Sequence, residues 1–458
     1  MTELRPRAPR PLRAGAWIGL ALATAGWVSP LFSQQLSFRK IAESGSGTTD
    51  FGLFPAINAS GTVAYIREAT DGLKGVYTRG TGAETRIADS SGPFFDFSGV
   101  QIDESGRVCF QATLDAGGSG IYAGKGGKLE TIAETGATYS QLEDGPAMNA
   151  SGAIAYRATL ADGSRALHLN QNGETTTIAD SAGGFKNFSA TPALNDSGTL
   201  AFAATFDAGG SGVFTGNGQS LTTLAVTTPT LIAWTDPSIN AAGAVLSTVF
   251  HEDGVLEMVR FDGGKAGALV TSGDVFTSFG RPLINASGKI AFTAYRDGVG
   301  TGIYTGSRPG PDTVLQHDAK LFDSYLYQVY LSTQALNDAG QIAFFYELEN
   351  GRTGIGVVGP MPRRPVLSLL GKTRVELKKS LVTLRGSALA EGGLSSVEVS
   401  YRQSSRGKSK MTRRLAAVSG ESWNFQFRAS ESRTTLSIRA IDRDGQTSPP
   451  VEVEVRRR

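Results

Sequence analysis

An asparagine or aspartate, two further residues, a glycine and then a run of apolar side chains: this order returns seven times along the chain. The copies are NASGTVAY from Asn58, DESGRVCF from Asp103, NASGAIAY from Asn149, NDSGTLAF from Asn195, NAAGAVLS from Asn240, NASGKIAF from Asn285 and NDAGQIAF from Asn337. Their first residues are 45, 46, 46, 45, 45 and 52 positions apart. Between the copies, apolar residues fall in short runs. In the third unit GPAMN leads into AIAYRATL, the turn ADGS, RALHLNQ, the turn NG and ETTTIAD. This reads as four short strands. Two of the turns carry the Asp-Gly or Asn-Gly pair that favours tight hairpins, and no stretch sustains a helical apolar period. The triplets VAY, VCF, IAY, LAF and IAF are apolar throughout, as a strand covered on both faces requires. The motif reads as the turn entering that strand. Asn58, Asp103, Asn149, Asn195, Asn240, Asn285 and Asn337 cap the backbone that follows, and Gly61, Gly106, Gly152, Gly198, Gly243, Gly288 and Gly340 accept positive φ.

A period near 46 lies between the ~40–45 residues of WD40 blades and the ~50 of kelch blades. The ends of the array choose a closed ring over an open solenoid. The seventh unit supplies QIAFFYEL and TGIGVVG, then breaks into PMPRRP without a fourth strand. Ahead of the first unit stands LSFRKIAESG, which matches the fourth strands ETRIADSSG, KLETIAETG and TTTIADSAG. One orphan strand fits one vacancy, and joining them removes open sheet edges. The expectation is an all-β chain in which residues 34–360 form a seven-bladed β-propeller closed by its N-terminal strand.

The Asn-x-x-Gly-x-x-Ala-Phe copies resemble the tandem NxxGxxAF repeats of secreted bacterial proteins, a group with variable C-terminal sorting or anchoring segments. Asp103 departs from the pattern, as do Leu246 and Ser247. The N-terminus agrees with export: Arg5, Arg7, Arg10 and Arg13 precede the apolar run AGAWIGLALATAG, and Ser33 offers a small residue for cleavage. Residues 1–33 therefore read as a signal peptide, with a retained anchor as the alternative. No second long apolar run follows, so the mature chain is expected to carry no transmembrane domain and to be secreted, periplasmic or on the cell surface.

Residues 361–365 read as a linker and 366–458 as a small β-sandwich. VLSLL, RVEL, SLVTLRGSAL, SSVEVSYRQ, WNFQFRAS, TTLSIRAIDRDG and VEVEV suggest about seven strands. GGLSSVEVSY and LSIRAIDRDGQTS resemble bacterial Ig-like modules, which makes Trp423 a core residue. Residues 361–458 hold 20 Lys and Arg against 9 Asp and Glu, whereas 34–360 hold 20 against 32. The total of +2 hides a basic tail suited to anionic surfaces and an acidic array. Glycine, at 58 of 458 residues, is about twice the usual ~7%, in keeping with short strands and tight turns.

Catalytic signatures are missing from this inventory. His168, His251 and His317 lie in different repeats without paired ligand spacing, and no G-x-S-x-G elbow occurs. GIGVVG from Gly354 meets the G-x-G-x-x-G pattern, but within a third strand and with no helix to follow. Cys109, the single cysteine, reads as a small buried residue. The leading expectation is therefore a non-catalytic binding protein for an extracellular polysaccharide or protein, needing no cofactor or metal and binding no nucleic acid. The alternative is an extracellular carbohydrate-active propeller enzyme, lyase or hydrolase, using carboxylates on the crossover face. Two constellations stand out. Glu43, Asp89, Glu134 and Asp180 end successive fourth strands and form a weak candidate for cation binding. The 52-residue step places Phe322, Asp323, Tyr325, Tyr327 and Tyr330 in one enlarged crossover loop, a candidate ligand site. Other crossover aromatics, among them Phe51, Phe54, Phe94 and Phe97, read as plugs between blades.

Overall fold

The computed structural model describes residues 36–458 except 46, 81, 144, 189–190, 236, 361–365, 371–372, 378–380, 390–393, 406–407, 421, 429–432, 443–446 and 458. The expected leader and linker lie outside the described residues. Among these, the chain is all-β, with one 3-10 turn at Ser181–Gly183. No helix among them is long and apolar enough to cross a membrane, which says nothing of a β-barrel.

Each motif folds as a capped turn. The Asn58 side-chain oxygen accepts the Thr62 N–H (3.0 Å) and the Ser60 hydroxyl (2.7 Å), while the Gly61 N–H bonds back to the Asn58 carbonyl (3.0 Å). Gly61 has φ +77°, a conformation that costs a side-chain-bearing residue. The other six motifs repeat the backbone part of this arrangement, with Asp103 Oδ1 accepting the Arg107 N–H at 2.8 Å, and alanine replaces the serine at positions 242 and 339. The amide nitrogen does something further. Asn58 Nδ2 donates to the Asp103 carbonyl (3.0 Å), Asn149 to Asn195 (3.1 Å), Asn195 to Asn240 (3.3 Å), Asn240 to Asn285 (3.1 Å) and Asn285 to Asn337 (3.0 Å). Asn337 then donates to Asn58 (2.9 Å), joining the last motif to the first. Asp103 has no Nδ2. There the Glu104 N–H reaches the Ala150 carbonyl and Arg107 reaches that of Gly152, both at 3.2 Å.

The motifs sit in seven antiparallel sheets. In the third, Tyr139–Leu142 and Ala147–Met148 both pair with Ile154–Leu160, followed by Arg165–Gln171 and Glu174–Asp180. The break in the first strand falls beside Pro146, which has no N–H for a ladder. Pro55, Pro192, Pro237 and Pro282 stand at the same distance before their motifs; where Val100 replaces proline, the strand Phe94–Ile102 is continuous. The seventh sheet is completed by Leu36–Glu43, which pairs with Thr353–Pro360 from Leu36↔Pro360 to Glu43↔Gly354. Ile41 is skipped in that ladder, just as Ile87, Ile132, Ile178, Leu224, Leu269 and Val314 are skipped in the other fourth strands. The N-terminal strand thus carries the repeat's own β-bulge.

Apolar packing follows the same circuit. Among the described residues the array has seven apolar clusters, each built from two sheets that follow one another in sequence or, in one case, from the last and the first. In that last cluster Ile41, Ala343, Phe345 and Ile355 pack with Phe51, Ile57 and Tyr65. Cys109 is fully buried at the seam with Met148, Ile154 and Tyr156. Phe51, Phe94, Phe97, Phe185, Phe188, Trp234, Phe276 and Phe279 are buried in such seams, while Phe54 is 54% exposed. The glycines of GIGVVG have a packing explanation. A Cβ at Gly354 would lie 2.4 Å from the Tyr346 hydroxyl, and one at Gly356 would lie 2.5 Å from the Phe344 ring.

The tail is built separately. One sheet runs Val366–Leu369, Leu381–Leu389, Ser422–Arg428, Ala417–Ser419; the other runs Arg374–Leu377, Val451–Arg457, Arg433–Asp442, Leu394–Ser405, Lys408–Leu415. Val382, Leu384, Phe425 and Phe427 from the first and Val397, Val399, Ile438 and Val453 from the second share one core with Trp423, which is 2% exposed. Nine strands replace the expected seven or so, because Ala417–Ser419 is a separate short strand and Leu394–Ser405 and Lys408–Leu415 form a hairpin of their own.

The amide links make opposite predictions at two motifs. Asn240→Ala leaves the buried Ala244 N–H without its partner and removes one of the two donors to the Asn285 carbonyl, and should cost about 1–3 kcal/mol. Asp103→Asn supplies the missing donor towards the Asn149 carbonyl and should gain up to about 1 kcal/mol. Chemical denaturation midpoints check both; equal midpoints for the three proteins would show that the amide links carry no stability.

Candidate functional site

The enlarged crossover is a β-hairpin rather than an open loop. Lys320–Leu321 pairs with the start of Ser324–Tyr330, Lys320 opposite Tyr325 and Leu321 opposite Ser324, so Phe322 and Asp323 form the tip. Phe322 holds φ +56°, an uncommon state for a residue with a side chain. Its ring is half-buried, 5.4 Å from that of Tyr346 and 4.9 Å beneath the Lys40 ammonium. Asp323 is exposed and ion-paired with Arg352, which also holds Glu43 at 2.8 Å. The hydrogen bond from Arg352 keeps the Asp323 carboxyl below the usual carboxylate range. The tip is thereby tied to the turn after the second strand of the same sheet and to the strand Leu36–Glu43.

The five residues of the expected site divide by role. Tyr325 and Tyr327 are 50% and 53% exposed. Phe322 packs as described, and Tyr330 is half-buried with its ring 6.0 Å from Phe345 and its hydroxyl bonded by the Gln328 amide. His317 donates from Nδ1 to the Tyr327 carbonyl (2.8 Å), and its ring lies 5.8 Å from the Tyr327 ring.

Tyr327 owes its exposure to a bulge. Leu326 pairs with Leu348 and Gln328 with Glu347, so Tyr327 is left out of the ladder. The same slip extrudes Thr49, Phe95, Ser140, Lys186 and Ile232 from the first strands of five other sheets. All six are exposed. A recurring bulge re-aims one side chain without disturbing its neighbours, and here that side chain differs in every sheet. Phe95 and Ile232, 66% and 56% exposed, were missed as surface residues. Superposing FFDF, LIAW and LYQV on TTDF, YSQL and FKNF reveals an apolar residue at the place where the others are polar.

The acidic arc does not converge. Glu43 serves Lys40 (2.6 Å), Arg352 and the Tyr346 hydroxyl (3.1 Å). Asp89 takes the Ser91 hydroxyl and Arg86, both at 2.6 Å, and is held low chiefly by the Ser91 hydrogen bond. Glu134 accepts from Tyr122 (2.6 Å), and Asp180 caps the 3-10 turn at Ala182. Each acid is engaged by its own sheet or the strand beside it. Among the described residues no three His, Cys, Asp or Glu side chains gather as a metal site. His168 and His251 are likewise apart, the latter paired with Glu257 at 2.8 Å.

A cavity of 160 Å³ is lined by the motif turns of all seven sheets. At its rim Glu104, Asp196 and Asp338 accept the backbone N–H of Ala59, Ala150 and Ala286 across to the preceding motif (2.8, 2.9 and 2.8 Å). Gln334 crosses it to bond both the N–H and the carbonyl of Ile102 (2.8 and 2.7 Å). Two buried side chains away from this cavity hold their protons tightly. Burial pushes the Cys109 thiol up to about 12, and burial with a Glu84 hydrogen bond raises Tyr65 further.

No protein-family model matches the chain, and no curated protein matches it. Several solved structures align with the chain at low identity. An oligogalacturonate lyase from Vibrio parahaemolyticus is 9% identical, covering 71% of this chain and 96% of that one with a TM-score of 0.47. An oligogalacturonate lyase in complex with manganese is 9% identical over 71% and 98%, TM-score 0.48. The lectin SapL1 in complex with alpha methyl fucoside is 10% identical over 57% and 98%, TM-score 0.34.

One buried titratable group gives a pH prediction. His168 is 6% exposed, packed on Tyr139 and Tyr156, with Nε2 lacking a hydrogen-bond partner and burial lowering its pKa against the opposing pull of Asp180. The unfolded imidazole binds a proton near pH 6.5, so its native counterpart, which resists protonation, costs stability as pH falls below that value, by up to about 1.4 kcal/mol per pH unit. His168→Leu should match the wild type at pH 8 and be the more stable at pH 5.5. Parallel loss in both proteins on acidification would overturn this.

Proposed function

We propose that this chain is a secreted or cell-envelope binding protein of the tandem NxxGxxAF kind, a closed seven-bladed β-propeller followed by an Ig-like sandwich, which holds a glycan or protein ligand without catalysis. The observation that carries the reading is the exposed pair Tyr325 and Tyr327 on a hairpin found, among the described residues, in one repeat. Half of each ring is open, while the hairpin beneath is fastened by Asp323, Arg352 and Glu43. Tyrosine presents a flat apolar face and a hydroxyl at small entropic cost, which suits stacking against a sugar ring or anchoring a protein contact. Seven sheets, their seven shared apolar clusters and the pairing of Leu36–Glu43 with the last sheet support the closed-ring reading. Two sheets around one core support the sandwich. Export rests on the arginine-led apolar N-terminus and its small residue at Ser33.

Replacing Tyr325 and Tyr327 by alanine should weaken ligand capture at least tenfold, the loss typical of about 1.4 kcal/mol or more at an aromatic anchor. Stability should change by less than about 0.5 kcal/mol per site, since both rings are exposed and His317 bonds only the backbone of residue 327. An envelope-polysaccharide and protein panel supplies the ligands. Loss of several degrees in melting temperature without a binding defect would show that the rings hold sheets together, and release of shortened glycan would show an enzyme. N-terminal sequencing of protein from its own host should find Gln34 first; intact Met1 protein in the cytoplasm would overturn export.

A further inference from the structure

The tail carries a second surface, independent of the hairpin. Strand alternation in Leu381–Leu389 and Ser422–Arg428 sends Val382, Leu384, Phe425 and Phe427 into the core and turns Thr383, Arg385, Ser387, Ser422, Asn424 and Gln426 outward. The outward six stand in facing pairs, Thr383 opposite Gln426, Arg385 opposite Asn424 and Ser387 opposite Ser422. They line a concavity of 570 Å³, with Leu370, 79% exposed, at its rim. Along the strand the three rows span on the order of 13 Å.

Two features set this face apart from an ordinary solvated sheet. Among the described residues, none of the six side chains makes a hydrogen bond or ion pair inside the protein, although Arg385 alone offers five N–H groups. The row holds three hydroxyls, two carboxamides and one guanidinium, and no acid. In the other sheet the arginines Arg433 and Arg456 do find a carboxylate, at Glu454. The concavity therefore has one uncompensated cation at its centre, bracketed by groups that can donate and accept. A guanidinium binds a carboxylate through two parallel hydrogen bonds, and amides and hydroxyls on either side match sugar hydroxyls.

We infer that this concavity is a binding site for an acidic polysaccharide bearing carboxylate groups, with Arg385 taking the carboxylate and Thr383, Asn424 and Gln426 the neighbouring hydroxyls. The excess of basic residues in 361–458 adds long-range attraction for the same polymer, and the rows of the sheet give it direction.

The test uses the full chain and three probes: alginate as the carboxylated polymer, dextran as the neutral one and dextran sulfate as a generic polyanion. Alginate should bind, and Arg385→Gln should weaken it at least tenfold, with Asn424→Ala reducing it several-fold. Arg385→Lys should recover part of the loss, because it keeps the charge without the planar fork. The pair Arg413→Gln and Arg414→Gln, exposed in the other sheet, should leave alginate binding within about twofold. Failure to bind alginate, equal loss in the Arg413/Arg414 variant, or dextran sulfate binding with the same dependence on Arg385 would each overturn the site. All the substituted side chains are exposed, so unchanged melting is expected; a melted Arg385→Gln protein with Arg385→Lys indifferent to alginate would also count against it.

Discussion

A buried asparagine amide has an acceptor and a donor on one rigid plane, and the array depends on both. The oxygen caps the asparagine's own turn, and the nitrogen reaches the carbonyl of the motif 45, 46 or 52 residues further on. Because Asn337 reaches Asn58, the links run in a circuit. No other side chain of that size does both: aspartate caps but cannot donate, and serine is too short to bridge. The first residue of each motif is 3–5% exposed, so each bond forms where an unpaired polar group would be costly. The apolar seams outside them repeat the same adjacency, and the N-terminal strand closes both layers at the seventh sheet.

Much of this scaffold is legible in the sequence because it is periodic. The turn, the apolar triplet and the orphan strand at Phe38–Ala42 can be read from residue type and spacing alone. The amide link between motifs is not legible in that way, since it joins a side chain to a backbone atom one repeat away and leaves no trace in composition. Bulges are hidden for a related reason: LYQV and FKNF look like plain strands until the register is known, and only the register extrudes Tyr327 and Lys186. The hairpin at Phe322 and Asp323 carries no Asn-Gly or Asp-Gly pair, so it reads as a loop. Of the expected site, the rings of Tyr325 and Tyr327 are exposed, whereas Phe322 and Tyr330 are held by their own sheet. In the tail, alternation gives the outward row, but the empty hydrogen-bonding capacity around Arg385 appears only once its neighbours are known.

The division of labour is physical. Positions that carry the circuit keep their type in six of the seven repeats, Asp103 being the departure, because cap, link and seam leave little room for change. Positions extruded by the bulge are exposed and vary from threonine to phenylalanine to lysine, with at most hydrogen bonds or a ring contact to neighbouring residues. An array with one extruded position in each of six sheets can change what it presents without altering how it folds. The seventh repeat goes further by adding a hairpin, next to the strand that closes the circuit.

Held shut by Leu36–Glu43, the seven sheets should behave as one cooperative unit. Hydrogen exchange on protein lacking residues 36–45 tests it most directly. The account predicts that amide protection falls at every motif turn from Asn58 to Asn337, because removing the closing strand opens the circuit and the seam it seals. Loss confined to Thr353–Pro360, with the other turns as protected as in the intact chain, would contradict it.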